Sequence, residues 1–336
     1  AGADAQPGLR ENRRLTARSK DIQAHVAARD AALERIDEAV TALNRVILGK
    51  AVQIRLCVAC VLARGHLLIE DVPGVGKTTL AHALARILGL SYQRIQFTSD
   101  LLPADITGVS VYDRERNDFR FHPGPVFSQL VLADEINRAT PKTQSALLEA
   151  MEEVQVTADG ETHPLPTPFF VVATQNPTYQ IGTFPLPESQ LDRFLMRIKL
   201  GYPGPAVERE LLQGDDRRAV LQRTAAVVTP ELILGLQEDV TTVHASDALL
   251  DYVQAIIRHT RERPEYESGL SPRAALSLLR AAQAWALLHH RESVLPEDVQ
   301  SVLPALTGHR LRSRHAADHE EADRIGEELL AAVPVP

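Results

Sequence analysis

Glu70 to Leu80, EDVPGVGKTTL, is the stretch on which the fold turns. The apolar run His66-Leu67-Leu68-Ile69 precedes it and suits a buried strand. Behind it Leu80, Ala83, Leu84, Ile87 and Leu88 recur at helical spacing, with Gly89 where a helix would end. Strand, glycine loop, helix is the setting a phosphate-binding loop requires. Gly74 and Gly76 let the backbone curl so that successive N–H groups point at anionic oxygens, and the new helix adds its unpaired N–H groups and positive dipole end. Lys77 offers a mobile cation for terminal phosphates, and Thr78 a hydroxyl able to ligate Mg²⁺. Asp71 stands where G-x-x-x-x-G-K-[ST] has its first glycine. The remaining G-x-G-K-T also fits a turn with an incidental lysine, so the loop needs a second element beside it.

QLVLADEINRAT supplies one. Leu130 to Ala133 form an apolar strand ending in Asp134-Glu135. A carboxylate at the C-terminal end of a parallel strand lies at the crevice where open α/β sheets bind ligands. Asp134 can hold Mg²⁺ directly or through water, and Glu135 can orient or deprotonate a water attacking a γ-phosphate. A third apolar run, Phe169 to Ala173, ends in Thr174-Gln175-Asn176-Pro177, whose amide could bond the γ-phosphate or that water. Further on, GTFPLPESQLDRFLMRIKL reads as a short helix with Asp192-Arg193, then a strand alternating Phe194, Met196, Ile198 and Leu200.

The order EDVPGVGKTTL, FTSDLLPADITG, FHPGPVFSQLVLADEINRATPKTQSALLEAMEE, VVATQNP, PLPESQLDRF, SPRAA strongly resembles the MoxR family of AAA+ ATPases, over roughly Ala31 to His309. The resemblance implies a P-loop α/β core with a mostly parallel five-stranded sheet, hairpin insertions and a small all-α C-terminal lid. It implies a nucleotide-binding segment of Pro73, Gly74, Val75, Gly76, Lys77, Thr78 and Thr79, with Thr78 and Asp134 at the metal. Glu135, Lys77, Asn176, Arg193 and Arg273 are the catalytic positions it suggests. Asn176 resembles the polar sensor 1 residue, Arg193 an arginine finger facing a neighbouring subunit's ATP, and Arg273 of SPRAA the sensor 2 arginine of the lid. For Arg193, a local pairing with Asp192 or Glu188 is the alternative. Mg²⁺-dependent ATP hydrolysis, a ring (usually a hexamer) and remodelling of protein clients, often with a von Willebrand factor A domain, also follow from the resemblance alone.

Three hundred and thirty-six residues, 44% hydrophobic and 24% charged, suffice for two domains with sizeable cores. Residues 1–29 read as a flexible arm, locally basic in RENRRLTARSK; 30–202 as the nucleotide-binding domain; 206–336 as the lid, after the stiff break Tyr202-Pro203-Gly204-Pro205. Lid periodicity is helical, through Leu249, Leu250, Val253, Ile256 and Ile257, then Leu276, Leu278, Leu279, Ala282 and Trp285. Ser271-Pro272-Arg273 starts one lid helix, with the arginine expected to face the nucleotide. VSVYDRERNDFRF reads as a hairpin pairing Val109 and Val111 with Phe119 and Phe121. VQVTADGETHPL reads as another, turning at Asp159-Gly160. No run reaches the length of a membrane span and no signal pattern opens the chain, so a cytoplasmic location is expected.

The two cysteines, Cys57 and Cys60, sit among Ile54, Leu56, Val58, Val61 and Leu62 and read as core rather than metal ligands. His315 and His319, among acidic residues, read as a solvated helix face. A net charge of −8 and 4% aromatic residues argue against a nucleic-acid partner, which would need a basic groove and stacking rings. A nucleic-acid-directed motor is nevertheless the alternative class, with a low-turnover nucleotide-dependent binding module as a third. Glu135 speaks against the last, because a pure switch has little need of a positioned base.

Overall fold

Four strands of the central sheet bury every residue, as parallel strands covered on both faces must: β1 (Leu67–Glu70), β5 (Leu130–Asp134), β8 (Phe170–Gln175) and β9 (Met196–Ile198). The fifth, β2 (Tyr92–Gln96), buries only Ile95, as an edge strand can. The order is β2-β5-β8-β1-β9 and every pairing is parallel, giving the α/β core with a five-stranded sheet that the sequence led us to expect. The computed structural model describes residues 7–115, 117–176, 182–214, 216–314 and 321–335; side chains are described from residue 23, and from 324 within the last stretch. His315, His319 and Pro177 lie outside the described residues.

Helices α1 (Pro7–Val46), α2 (Ala51–Leu62), α3 (Lys77–Ile87), α4 (Pro103–Thr107), α5 (Pro141–Glu153) and α6 (Glu188–Leu191) belong to the first 200 residues. Two hairpins interrupt them: β3 (Gly108–Asp113) with β4 (Asp118–Pro123), and β6 (Gln155–Ala158) with β7 (Glu161–Pro164). The second turns where expected, with Asp159 and Gly160 both at positive φ, 51° and 83°. The first is a hairpin with a different register. Phe121 lies opposite Ser110 and Phe119 opposite Tyr112, while Val109 faces His122, so the valines occupy the opposite face. Phe121 in turn stacks on His163 of the second hairpin, centroids 4.0 Å apart.

The helical region comprises α7 (Pro205–Gln213), α8 (Arg217–Arg223), α9 (Pro230–Thr242), α10 (Asp247–Glu262), α11 (Pro272–Leu287), α12 (Pro296–Thr307) and α13 (Glu321–Ala332). Side chains alternate along the strands between two cores. Leu67, Ile69, Leu132, Val172 and Met196 join α1, α2, α3 and the C-terminal helices in one continuous apolar cluster. Leu68, Val131, Ala133 and Val171 face α5 in a second. Cys57 and Cys60 are fully buried free thiols in the first cluster.

Where a flexible arm was expected, the chain from Pro7 is one helix. The residues there are mostly strong helix formers, so helix needs no apolar stripe of its own, and Pro7 is suited to a first turn. Further along, Leu33, Ile36, Val40 and Leu43 bury the stripe that docks the helix. Arg29–Glu292 (2.8 Å) and His290–Asp37 (2.8 Å) tie this helix to the C-terminal region. Among the described residues no helix is long and apolar enough to cross a membrane.

Candidate functional site

The glycine loop leaves β1 at its C-terminal end and enters α3 at Lys77. Gly74 and Gly76 hold φ of 87° and 98°, and a Cβ at either would meet nothing within 4 Å. Their glycines answer to backbone conformation, which L side chains rarely adopt, and not to crowding. Pro73, Gly74 and Thr78 are exposed, Val75 and Thr79 partly so, and Val75 packs against the first core. An open curl of backbone at the start of an 11-residue helix, with a lysine in its first turn, fits a phosphate chain.

Lys77 is buried, and its ammonium donates to the Asp71 carbonyl (2.5 Å), the Val72 carbonyl (3.1 Å) and Asn176 Oδ1 (3.1 Å). Burial draws this ammonium below the usual lysine range, while Asp71, Asp134 and Glu135 pull it back up. The Asn176 amide donates to Glu135 Oε1 at 2.9 Å, so one side chain joins the lysine of the loop to the glutamate beyond β5. Glu135 sits at φ 58°, a left-handed conformation unusual for a side-chain-bearing residue and of the kind found at functional sites. Its N–H donates to Thr174 Oγ1 (2.9 Å), whose hydroxyl donates to Asp134 Oδ1 (2.6 Å). Lys77, Asp134, Glu135 and Asn176 therefore form one hydrogen-bonded cluster at the C-terminal ends of β1, β5 and β8. Hard oxygen donors on Asp134 and Thr78 suit a divalent cation such as Mg²⁺.

Four further residues around this cluster carry signals too weak to assign from the sequence. Arg94 on the edge strand donates to Asp134 Oδ2 from Nε (3.0 Å) and Nη2 (2.6 Å). Gln96, two residues on, donates to Glu135 Oε2 (3.1 Å), and Arg138 meets the same oxygen at 3.0 Å. Asp71, the departure from the glycine pattern, is a tether. Its carboxylate accepts the N–H groups of Leu200 (2.7 Å), Gly201 (2.6 Å) and Val72 (2.8 Å), fixing the start of the loop to the chain leaving β9.

Arg193 and Arg273 are elsewhere. Arg193 precedes β9, and Leu195 N–H donates to the His66 carbonyl at the start of β1 (2.8 Å), so this segment lies at the strand-start edge of the sheet. The glycine loop lies at the strand-end edge. Arg193 pairs with neither Asp192 nor Glu188 but with Glu152 Oε2 (2.9 Å), and Arg273 bonds the other oxygen of the same carboxylate (2.7 Å). The lid arginine thus faces away from its own chain's phosphate loop, whereas its helix start led us to expect it to face the nucleotide. The lid packs on the first core and carries α11 to the opposite edge. A cavity of about 640 Å³ opens there, lined by Arg64, Glu152, Arg193, Arg273, Arg280 and Arg310. Two carboxylates, Glu152 and Asp192, stand among five arginines, a surplus of positive charge suited to an anion.

Residues 66–196 match the model of the ATPase family associated with various cellular activities (AAA), and residues 258–329 match an AAA lid domain. The chain is 47% identical to the uncharacterized protein YeaC of Bacillus subtilis, covering 90% of this chain and 95% of that protein. It is 40% identical to Chaperone MoxR1 of Mycobacterium tuberculosis, over 89% of this chain and 81% of that one. A crystal structure of a candidate ATPase from Cytophaga hutchinsonii superposes with a TM-score of 0.83 at 34% identity, covering 94% and 99% of the two chains.

Proposed function

The chain belongs to the MoxR family of AAA+ ATPases, and from there we propose that it hydrolyses ATP with Mg²⁺ in a ring of identical subunits and uses the cycle to remodel protein clients. The observation that carries this reading is the single hydrogen-bonded cluster of Lys77, Asp134, Glu135 and Asn176 at the mouth of the glycine loop. In it the backbone from Pro73 to Thr79 and the Lys77 ammonium hold the phosphates. Thr78 and Asp134 would hold Mg²⁺, which when bound neutralises charge on the phosphate oxygens. Glu135 takes the proton of the attacking water. Asn176 Nδ2 fixes that carboxylate with one N–H and donates the other to the terminal phosphate, once the Lys77 ammonium has turned from Asn176 Oδ1 to the phosphates.

Arg193 and Arg273 act in this reading on the nucleotide of a neighbouring subunit. Their place at the strand-start edge, away from their own loop, supports it. A guanidinium delivered to the γ-phosphate in trans raises the rate by ~10³ or more. Lys77→Ala and Arg193→Ala are each expected to be nearly inactive alone. Mixed, they recover activity, because an Arg193→Ala pocket can be completed by a Lys77→Ala neighbour. Absence of recovery in assemblies shown to be mixed would refute the shared site. The ring is proposed as a hexamer working in the cytoplasm, with 30–202 as its nucleotide-binding domain and 206–336 as its lid. Proteins bearing a von Willebrand factor A domain are the proposed client class. Capture with Glu135→Gln and ATP, against Lys77→Ala as a control that binds ATP poorly, tests that class: a client retained equally by both variants would contradict ATP-gated capture.

A further inference from the structure

Arg310 follows α12 with its side chain 4% exposed, and it spends nearly all its donors on the segment that carries Arg193. Nε donates to Asp192 Oδ1 (2.7 Å); Nη2 to the carbonyls of Asp192 (3.2 Å) and Phe194 (2.6 Å); Nη1 to the carbonyls of Leu195 (3.0 Å) and, in its own helix, Leu306 (2.8 Å). The acceptors thus lie on both sides of Arg193. His309 Nε2 makes a further contact to the Phe194 carbonyl at 2.9 Å. The other oxygen of Asp192 accepts from Ser271 Oγ (3.1 Å), and Ser271 Oγ itself caps α11 by accepting the Ala274 N–H (3.0 Å). Two residues into α11 stands Arg273. One planar guanidinium is therefore wired to the backbone around one arginine and, through Asp192 and Ser271, to the helix start beneath the other. A lysine could not do this, since its ammonium is a point donor and not a fork.

We propose that Arg310 is a positioning residue for the shared site: it sets the spacing and aim of Arg193 and Arg273, which it does not touch, so that both reach one neighbouring nucleotide together. The proposal rests on the reading that those arginines act in trans. A simple staple between lid and core is the competing role, and the two differ in which half of the shared site fails.

The test uses the full chain. Arg310→Gln should leave its own phosphate loop intact, so KM for ATP stays within about twofold, while kcat falls by ~10²-fold, the usual effect of misplacing a catalytic group by about 1 Å. Mixed with Lys77→Ala, it should recover activity, because it keeps a sound pocket and its neighbour supplies placed arginines. Mixed with Arg193→Ala it should recover none, both being defective on the donating side. Recovery with Arg193→Ala, a rise in KM without loss of kcat, or wild-type turnover would overturn the proposal. Arg310→Lys keeps the charge and most of the volume, and carries the same comparisons if the glutamine variant does not fold; it should fall between wild type and Arg310→Gln in kcat. The trans reading is checked separately by the Lys77→Ala with Arg193→Ala mixture. Failure there removes the premise, whereas success there with no recovery for either Arg310 variant and Lys77→Ala refutes the positioning role alone.

Discussion

Replacing Asp71 with glycine would restore the usual phosphate-loop pattern, yet the expected result is a weaker protein. The Asp71 carboxylate is buried and accepts three backbone N–H groups, of Leu200, Gly201 and Val72. Val72 is partly exposed and can turn to water, but the Leu200 and Gly201 donors leave β9 beside the loop and lose their partner. A hydrogen bond to a charged group contributes about 1.5–3 kcal/mol, and relief from burying the carboxylate offsets part of two such losses. The net cost is about 3 kcal/mol. In Asp71→Asn one amide oxygen can still accept both N–H groups, as one carboxylate oxygen does now, so only the added strength of a charged acceptor is lost, roughly half of that. Urea unfolding followed by circular dichroism gives the difference from the midpoint and slope. ATP affinity should change little, because Gly74, Gly76 and the Asp71 carbonyl that holds Lys77 remain. Stability of Asp71→Gly within ~0.5 kcal/mol of wild type would refute the tether.

Thr174→Val keeps the side-chain shape but removes the hydroxyl that joins Asp134 Oδ1 to Glu135 N–H. Steady-state kinetics should show kcat reduced about tenfold at nearly unchanged KM, the equivalent of one buried hydrogen bond, and an unchanged kcat would contradict the role. His66 is buried with Nδ1 accepting the Val171 N–H, and its pKa is pushed down to about 4 from 6.5 by that burial. Between those values the unfolded chain binds the extra proton. Stability should therefore rise with pH from about 4 to 6.5, by roughly 3 kcal/mol in all. His309, also buried and lowered, adds in the same direction. Unfolding free energies across that range should show a shallower slope in His66→Gln, and an equal slope would exclude His66.

The strand ends were legible in the sequence because their signals are local. An apolar run that stops at Asp134-Glu135 or at Asn176 states both the strand and the edge at which it ends, and Gly74 and Gly76 mark the curl between β1 and α3. The edge strand β2 was not legible: only Ile95 is buried, so Arg94 and Gln96 show no apolar run. Their reach to Asp134 and Glu135 depends on β2 pairing with β5, where Gln96 lies opposite Asp134. Polar residues two apart between the Gly89 helix end and Phe97 were the available hint. Arg273 shows the opposite failure. Its helix start was read correctly, with Ser271 capping α11, but the edge it faces is set by packing of the lid helices on α1 and α2, which no local pattern encodes. The arm of residues 1–29 misled because absence of apolar periodicity was read as absence of helix, while propensity alone supports a helix that docks farther along.

Phosphate release by wild type and Glu135→Gln at saturating Mg²⁺ and ATP, with nucleotide affinity measured on the same samples by calorimetry, tests the central claim most directly. Removing the base but keeping the pocket should leave ATP affinity within about threefold and lower turnover by ~10²-fold or more. Wild-type turnover in Glu135→Gln, or no hydrolysis by the wild-type chain under conditions where it binds ATP and assembles, would contradict it.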